Sequence, residues 1–558
     1  MRIDSINHPP PAPGPAKPLQ VEIDQSTDLT RDDADAFQYS PKDLDSNGRL
    51  HVIVYSATNH KCNLQSVSQE ICNTQGKIDT ELPLIHGFAA NVDPKTMPEI
   101  LRTLPPHAEV HINSVLYNKS DTLAQIVKDT TATAPTATIP NLPTSGGLDP
   151  SRAVIGIQKV WDQGYTGKGV GVAVIDSGIY PHPDLKDRIV GWVDIADGKP
   201  TPYDNFGHGT HVAGDIAGSG KLSDGRFKGI APDANLIGVR ITTVAEAIRG
   251  IQWVIDNKDK YNIRVINLSL GDYASKSYKD DPWVQAVDKA INAGLVVVVA
   301  AGNEGPDPGT ISTPGTDPRV ITVGALDDKH TLTRSDDTIA SFESHGPTAI
   351  DHLIKPDVIA PGVQIYAPLS PGSTLDVPEL PHIGNNYIAI SGTSMATPMV
   401  SGLVADLIQA DPKLTHDDVK KILEASADRY LKDGSNEQGY GLIDAPRALA
   451  LALAMKNGAP APTVPPLPPD PVTPVSGQPA TPPAPTNMPP AQTINGIAPR
   501  PVVAPLHPTG LVATPHAPVG VLGSTPMRPL TPPHAPQFSP AEAASHNGYL
   551  LTPDRFLH

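Results

Sequence analysis

The chain has 558 residues, 63 of them proline, and a formal charge of −17. Residues 458–558 hold 27 prolines but only three acids and three fixed bases, so the net charge belongs to residues 1–457. An acidic chain with no Lys/Arg-rich run excludes the clustered cations that nucleic-acid phosphates require. No apolar run approaches the ~18–20 residues of a membrane span, and two cysteines (Cys62 and Cys72) cannot staple a scaffold.

Residues 1–48 are rich in Pro, Asp and Ser and read as a disordered leader. Met1-Arg2-Ile3-Asp4 soon meets Pro9-Pro10-Pro11, with no apolar core of a Sec signal. The chain is therefore expected in the cytoplasm, or outside the cell by a non-Sec route. Residues 49–117 read as a small α/β module. Leu50–Tyr55 and Leu84–Val92 are strand candidates, Asp93-Pro94 opens a helix that stops before Pro105-Pro106, and Val110–Tyr117 is a closing strand. Residues 118–150, with runs such as Thr130–Pro135, have linker composition.

From 151 to 457 the pattern changes. Gly169–Ile175, Val265–Leu268 and Leu295–Ala300 are nearly all apolar, as strands buried on both faces of a parallel sheet are. They alternate with helical stretches at Val244–Asn257, Trp283–Ala293, Thr397–Ala410 and His416–Ser426. This predicts an α/β fold with a parallel central sheet. Residues 458–558 have too few large apolar side chains to bury a core and read as a Pro-rich disordered tail, a polyproline-II spacer or a docking segment whose partner is unknown.

Four segments of the 151–457 block carry candidate chemistry. Asp176 ends an apolar strand just before Ser177-Gly178, where ligands gather at the carboxyl edge of an open sheet; alone it also reads as a turn residue. His208, in Gly207-His208-Gly209-Thr210-His211, suits general base and then acid chemistry near neutral pH. With His211 it sits at i and i+3, so a zinc ligand or a packing histidine is the alternative, although no HExxH or cysteine ligand follows. Ser394, in Ser391-Gly392-Thr393-Ser394-Met395, stands at a helix start whose free N–H groups favour developing negative charge; a plain cap is the other reading. Asn303, in Ala301-Gly302-Asn303-Glu304, can aim its amide into a site or belong to a turn.

Taken together, an Asp, a His, a Ser and an amide donor are what acyl transfer to a hydroxyl requires. They occur in the order Asp, His, Ser, which is that of subtilisin. On VAVIDSGI, GHGTHVAG and SGTSMATP, residues 151–447 resemble the subtilisin-like serine proteases, most closely their AprX-like bacterial branch. The resemblance implies a subtilisin-like three-layer fold and a serine endopeptidase acting on proteins or peptides. Asp176 would orient the imidazole, His208 would be the base, Ser394 the nucleophile and Asn303 the oxyanion donor. Ser269, Leu270 and Gly271 would form one wall of the S1 pocket and Ala300 and Gly302 the other, open enough for a large apolar or aromatic P1. The alternative is a catalytically idle binding protein of the same fold, working through its Pro-rich tail.

The resemblance implies more for the flanking parts. Residues 49–117 are similar to the family's inhibitory propeptide, a ferredoxin-like α/β domain and thus a partner of its own enzyme, with self-cleavage expected at Tyr117–Asn118. Gly238–Ile241 passes through Thr242-Thr243 straight into a helix, a shorter connection than in relatives, so weaker P4 dependence is expected. No cofactor is required. Asp184 matches a calcium-ligand position, but Gly220–Arg226 lacks the Asn-rich loop, so the sequence supports no metal site.

Overall fold

The computed structural model describes residues 29–34, 37, 44–57, 60–116, 119–132 and 147–468. Tyr117 and Asn118, most of the leader, residues 133–146 and residues 469–558 of the tail lie outside the described residues.

Residues 50–112 form a βαββαβ unit: β1 (Leu50–Ser56), α1 (Gln65–Asn73), β2 (Lys77–Leu82), β3 (Gly87–Val92), α2 (Met97–Arg102) and β4 (Ala108–Ile112). The strands pair antiparallel in the order β2-β3-β1-β4, the ferredoxin-like arrangement. Strand periodicity sorts their side chains. Val52, Val54, Phe88 and Ala90 pack under α1 and α2, while Ile53, Tyr55 and Ala89 face the next layer. The expected Leu84–Val92 strand begins only at Gly87, because Pro83–Ile85 makes a 3-10 turn. Asp93 caps as predicted, accepting the Lys95 N–H at 3.0 Å.

Two expectations for the flanks are corrected. Leu29, in the segment read as a disordered leader, is buried and exchanges backbone hydrogen bonds of 2.7 and 2.9 Å with Val110. The open edge of β4 supplies that partner. Lys119–Ala132, inside the segment read as a linker, is the helix α3. Its Thr and Ala content hid Leu123, Ile126, Val127 and Thr130, which stand at i, i+3, i+4 and i+7 and make one face. The tail is described as far as Pro468, whose carbonyl accepts from the Ser435 hydroxyl at 2.6 Å.

The larger block begins with two single turns, α4 (Pro150–Ala153) and α5 (Gln158–Trp161). It continues as β5 (Gly171–Asp176), β6 (Ile189–Asp194), α6 (His208–Ala217), β7 (Asn235–Arg240), α7 (Val244–Tyr261), β8 (Ile263–Leu268), α8 (Pro282–Asn292), β9 (Val296–Ala300) and β10 (Ile321–Asp327). After β11 (Thr338–Ile339), β12 (Val358–Pro361), β13 (Ile365–Pro368), β14 (His382–Ile383) and β15 (Tyr387–Ile390) come α9 (Thr393–Ala410), α10 (His416–Ser426), α11 (Ser435–Gln438) and α12 (Ala445–Lys456).

The central sheet runs β11-β10-β9-β8-β5-β7-β6, with β12 also on β10; all these pairs are parallel except β10–β11. In β9, Val296 and Val298 enter the core shared with α6, α9, α10 and α12, while Val297 and Val299 enter the core shared with α7 and α8. Both faces are covered, which is why the strand reads as an uninterrupted apolar run. The result is three layers, and the ferredoxin-like unit sits on α7 and α8, its Ile53, Tyr55, Leu82 and Ile85 sharing their core. At that seam the Tyr55 hydroxyl donates to Glu109 at 2.8 Å, and Lys276 pairs with the same carboxylate.

Candidate active site

Asp176 is the last residue of β5 and fully buried. His208 is the first residue of α6, entered through Gly207 at φ 106°. The helix start must come very close: a β-carbon on Gly209 would lie 2.1 Å from the Gly178 carbonyl and 3.0 Å from the Asp176 carboxylate. This close approach is the physical content of the second glycine in GHGTH. It brings His208 Nδ1 to 2.9 and 3.1 Å from the two Asp176 oxygens. Nδ1–H therefore donates to the carboxylate, which leaves Nε2 as the acceptor nitrogen. Burial is the largest single influence on His208 and disfavours its charged form, but Asp176, with Asp204 and Asp215 behind it, outweighs this and holds the pKa above the ordinary histidine value.

Asp204 anchors the turn before this helix, a role the sequence reading missed. Its carboxylate accepts from the Phe206, Gly207 and Thr210 N–H groups and from the Ser177 and Thr210 hydroxyls, at 2.7–3.1 Å. Replacing Asp204 by alanine strands these buried donors. We expect a loss of about 5 kcal/mol or more in urea unfolding, five donors at ~1–3 kcal/mol per buried group left unpaired.

Ser394 is the second residue of α9, which starts one turn earlier than Thr397. Pro398 lies within the helix, and its missing N–H would have served the Ser394 carbonyl four residues back. That carbonyl instead accepts the Ser269 hydroxyl at 2.8 Å. In return the Ser394 hydroxyl donates to the Ser269 carbonyl at 2.9 Å.

Asn303 follows β9 and Gly302. Its side-chain oxygen is taken by the Thr393 N–H at 2.9 Å and the Thr393 hydroxyl at 3.0 Å. Its Nδ2 therefore remains the donor, beside the Ser394 N–H at the start of α9. Thr393, which locks this orientation, was not singled out from sequence, although it lies inside the SGTSM segment.

His208, Ser269, Leu270, Gly271, Ala300, Gly302, Asn303 and Ser394 line one cleft. Ser312 and Glu304 add to it, with Glu304 accepting from the Ser312 and Ser344 hydroxyls and from the Asn303 N–H. His211 points away. Its Nε2 meets the Ile365 carbonyl at 2.8 Å and its Nδ1 lies 3.0 Å from Asp215, so the i, i+3 pair is not a joint metal site. Asp184 accepts from Ser219, Leu222 and Tyr387 rather than standing open. Among the described residues no group of three His, Cys, Asp or Glu is placed to hold a metal ion.

The short Ile241–Thr243 connection does not leave its side of the cleft without backbone partners. Thr242 accepts the Leu116 N–H at 2.9 Å, and Val115 bridges Thr243 antiparallel. The segment that follows β4 thus enters the cleft as an added strand, although β4 itself ends at Ile112 rather than Tyr117.

The Subtilase family model matches residues 167–441. Subtilisin E of Bacillus subtilis (strain 168) is 32% identical over 409 residues, which is 72% of this chain and 90% of that protein. The chain belongs to the subtilase family. Serine protease AprX of the same organism is 48% identical over 296 residues, 51% of this chain, and the chain spans 66% of its length. The thermostable alkaline protease of Halalkalibacterium halodurans is 35% identical over 300 residues, 53% of the chain and 71% of that relative. This subtilase is a serine endopeptidase of the AprX-like branch. No helix among its described residues is long and apolar enough to cross a membrane.

Proposed function

We propose that this subtilase cleaves peptide bonds through Asp176, His208 and Ser394 and that it is made as a self-processing zymogen. The observation that carries the reading is the single cleft in which a carboxylate-bound imidazole, a serine at a helix start and a side-chain amide converge. His208 Nε2 takes the Ser394 proton as Oγ attacks the carbonyl carbon. The oxygen that becomes negative is met by Asn303 Nδ2 and the Ser394 N–H. His208 then gives the proton to the leaving amine, and water, activated by the same imidazole, releases the acid from the acyl-enzyme. Asp176 keeps the Nδ1–H tautomer and stabilises the imidazolium.

The small side chains of Ala300, Gly302 and Gly271 leave room for a large apolar or aromatic P1, which Tyr117 satisfies. Residues 49–117 act as the inhibitory propeptide, with cleavage at Tyr117–Asn118; the strand-like seating of Ser114–Leu116 on Thr242–Val244 supports this. A fluorophosphonate is expected to label Ser394, and a peptide with tyrosine at P1 is expected to be cut far faster than one with aspartate. Absence of label on folded protein would sink the reading. Asn303→Ala is expected to lower kcat about 10²–10³-fold with little change in KM, a magnitude carried over from subtilisin. A loss under about tenfold would remove Asn303 from the oxyanion role.

A further inference from the structure

The cleft has a second occupant besides the strand-like segment ending at Leu116. Thr122, Gln125 and Ile126 of α3 line the same cleft as His208, Asn303 and Ser394. The helix is held at its far end: the Thr130 hydroxyl accepts the Ser391 N–H at 2.9 Å, and the Thr130 carbonyl accepts from Gln364 Nε2 at 3.1 Å. Ile126 is buried in the large core, with Leu123 and Val127 against it. Ser391 lies three residues before Ser394 in the chain and lines the same cleft. A chain whose Leu116 seats on Thr242 presents the acyl side of a substrate. The helix follows the expected cut at Tyr117–Asn118, so by chain connectivity it belongs to the leaving-group side of that bond while lining the same cleft.

From this geometry we propose that α3 is an inhibitory plug on the leaving-group side of the cleft, distinct from the 49–116 module and outlasting its removal. The inference rests on the proposed peptidase reading. A cut at Tyr117–Asn118 leaves α3 on the enzyme's side of the break. It then competes with substrate intramolecularly, at an effective concentration of order mM. Full access for long substrates requires α3 to swing out or be cut away.

One residue keeps the docking reversible. Asp129 is buried in the docked helix, and burial pushes its carboxyl up to about 6, with Gln125 and Lys128 opposing and the Glu304 carboxylate adding to the rise. A charge at neutral pH therefore works against the docked state. Asparagine at this position keeps an acceptor for Gln125 and removes the charge.

The test uses the full chain after self-processing and two substrates. One is a peptide anilide with residues on the acyl side only, and the other a quenched peptide with four residues after the scissile bond. The double variant Ile126→Asp, Thr130→Arg is expected to raise kcat/KM on the quenched peptide by about tenfold or more, the equivalent of one lost anchoring contact, with much less effect on the anilide. Asp129→Asn is expected to act in the opposite sense, lowering the rate on the quenched peptide alone. A reading independent of activity comes from amide exchange in Ser394→Ala. Residues 119–132 should be protected, and the double variant should release them while β1 and β3 stay protected. Equal effects on both substrates, or fast exchange over 119–132 in Ser394→Ala alone, would overturn the plug. Loss of both activities and of fluorophosphonate labelling in every form would instead overturn the peptidase reading, and the plug with it.

Discussion

Ser394→Ala is expected to lower kcat about 10⁶-fold, the scale known for the nucleophile of subtilisin, and to leave the chain uncut at Tyr117–Asn118. The size follows from what the hydroxyl does. Without Oγ there is no acyl-enzyme, and hydrolysis falls back on water held near Asn303 and the Ser394 N–H. Stability should barely change. The hydroxyl makes one hydrogen bond, to the Ser269 carbonyl, and its loss costs about 1 kcal/mol. N-terminal sequencing of both forms reads the two consequences together. The active chain should begin at or near Asn118, and the variant at its original start. A variant cut at the same bond as the active form would show that another protease makes the cut. A variant that keeps more than about a hundredth of the activity would remove Ser394 from the nucleophile's role.

The sheet was legible in the sequence because strands buried on both faces leave no polar positions. β5 and β9 were located to within two residues from apolar runs alone, and the turns around Asp176, His208 and Asn303 follow from where those strands and α6 must end or begin. What the sequence hid is of two kinds. Roles defined by a partner far along the chain carry no local signal: Thr393 matters because its N–H and hydroxyl take the Asn303 oxygen, 90 residues away, and Asp204, though four of its five donors lie within six residues, is tied to the site by the Ser177 hydroxyl 27 residues back. The second kind is composition that misleads. Three threonines and two alanines over residues 122–132 look like linker, yet one face of that stretch is Leu123, Ile126, Val127 and Thr130, and the cleft provides the surface that makes it a helix. Leu29 in the leader is the same case on a smaller scale, ordered by the unpaired edge of β4. Isolated helices of this length are marginal in water, so tertiary contact decides.

Asp176→Asn is expected to lower kcat about 10⁴-fold and to move the acid limb of the kcat/KM profile to lower pH. The two effects have separate causes. The rate falls because an asparagine can present its amide to Nδ1 and favour the wrong tautomer, and because the imidazolium formed during attack loses the carboxylate 2.9 Å away. The limb moves because His208 must be neutral to accept the Ser394 proton. In the unsubstituted enzyme burial favours the neutral form, yet Asp176, aided by Asp204 and Asp215, wins and raises the pKa, so activity should rise with pH through a value above the ordinary histidine ~6.5. Removing the Asp176 charge deletes the nearest of the raising influences and leaves burial in place, so the neutral base survives to lower pH. The limb should therefore shift towards acid while its height collapses. Kinetics on an anilide substrate between about pH 5 and 10, with folding checked by circular dichroism at each end, read both. A limb that stays in place in Asp176→Asn would mean that the titrating group is not His208, and the assignment of base and orienting acid would fall with it.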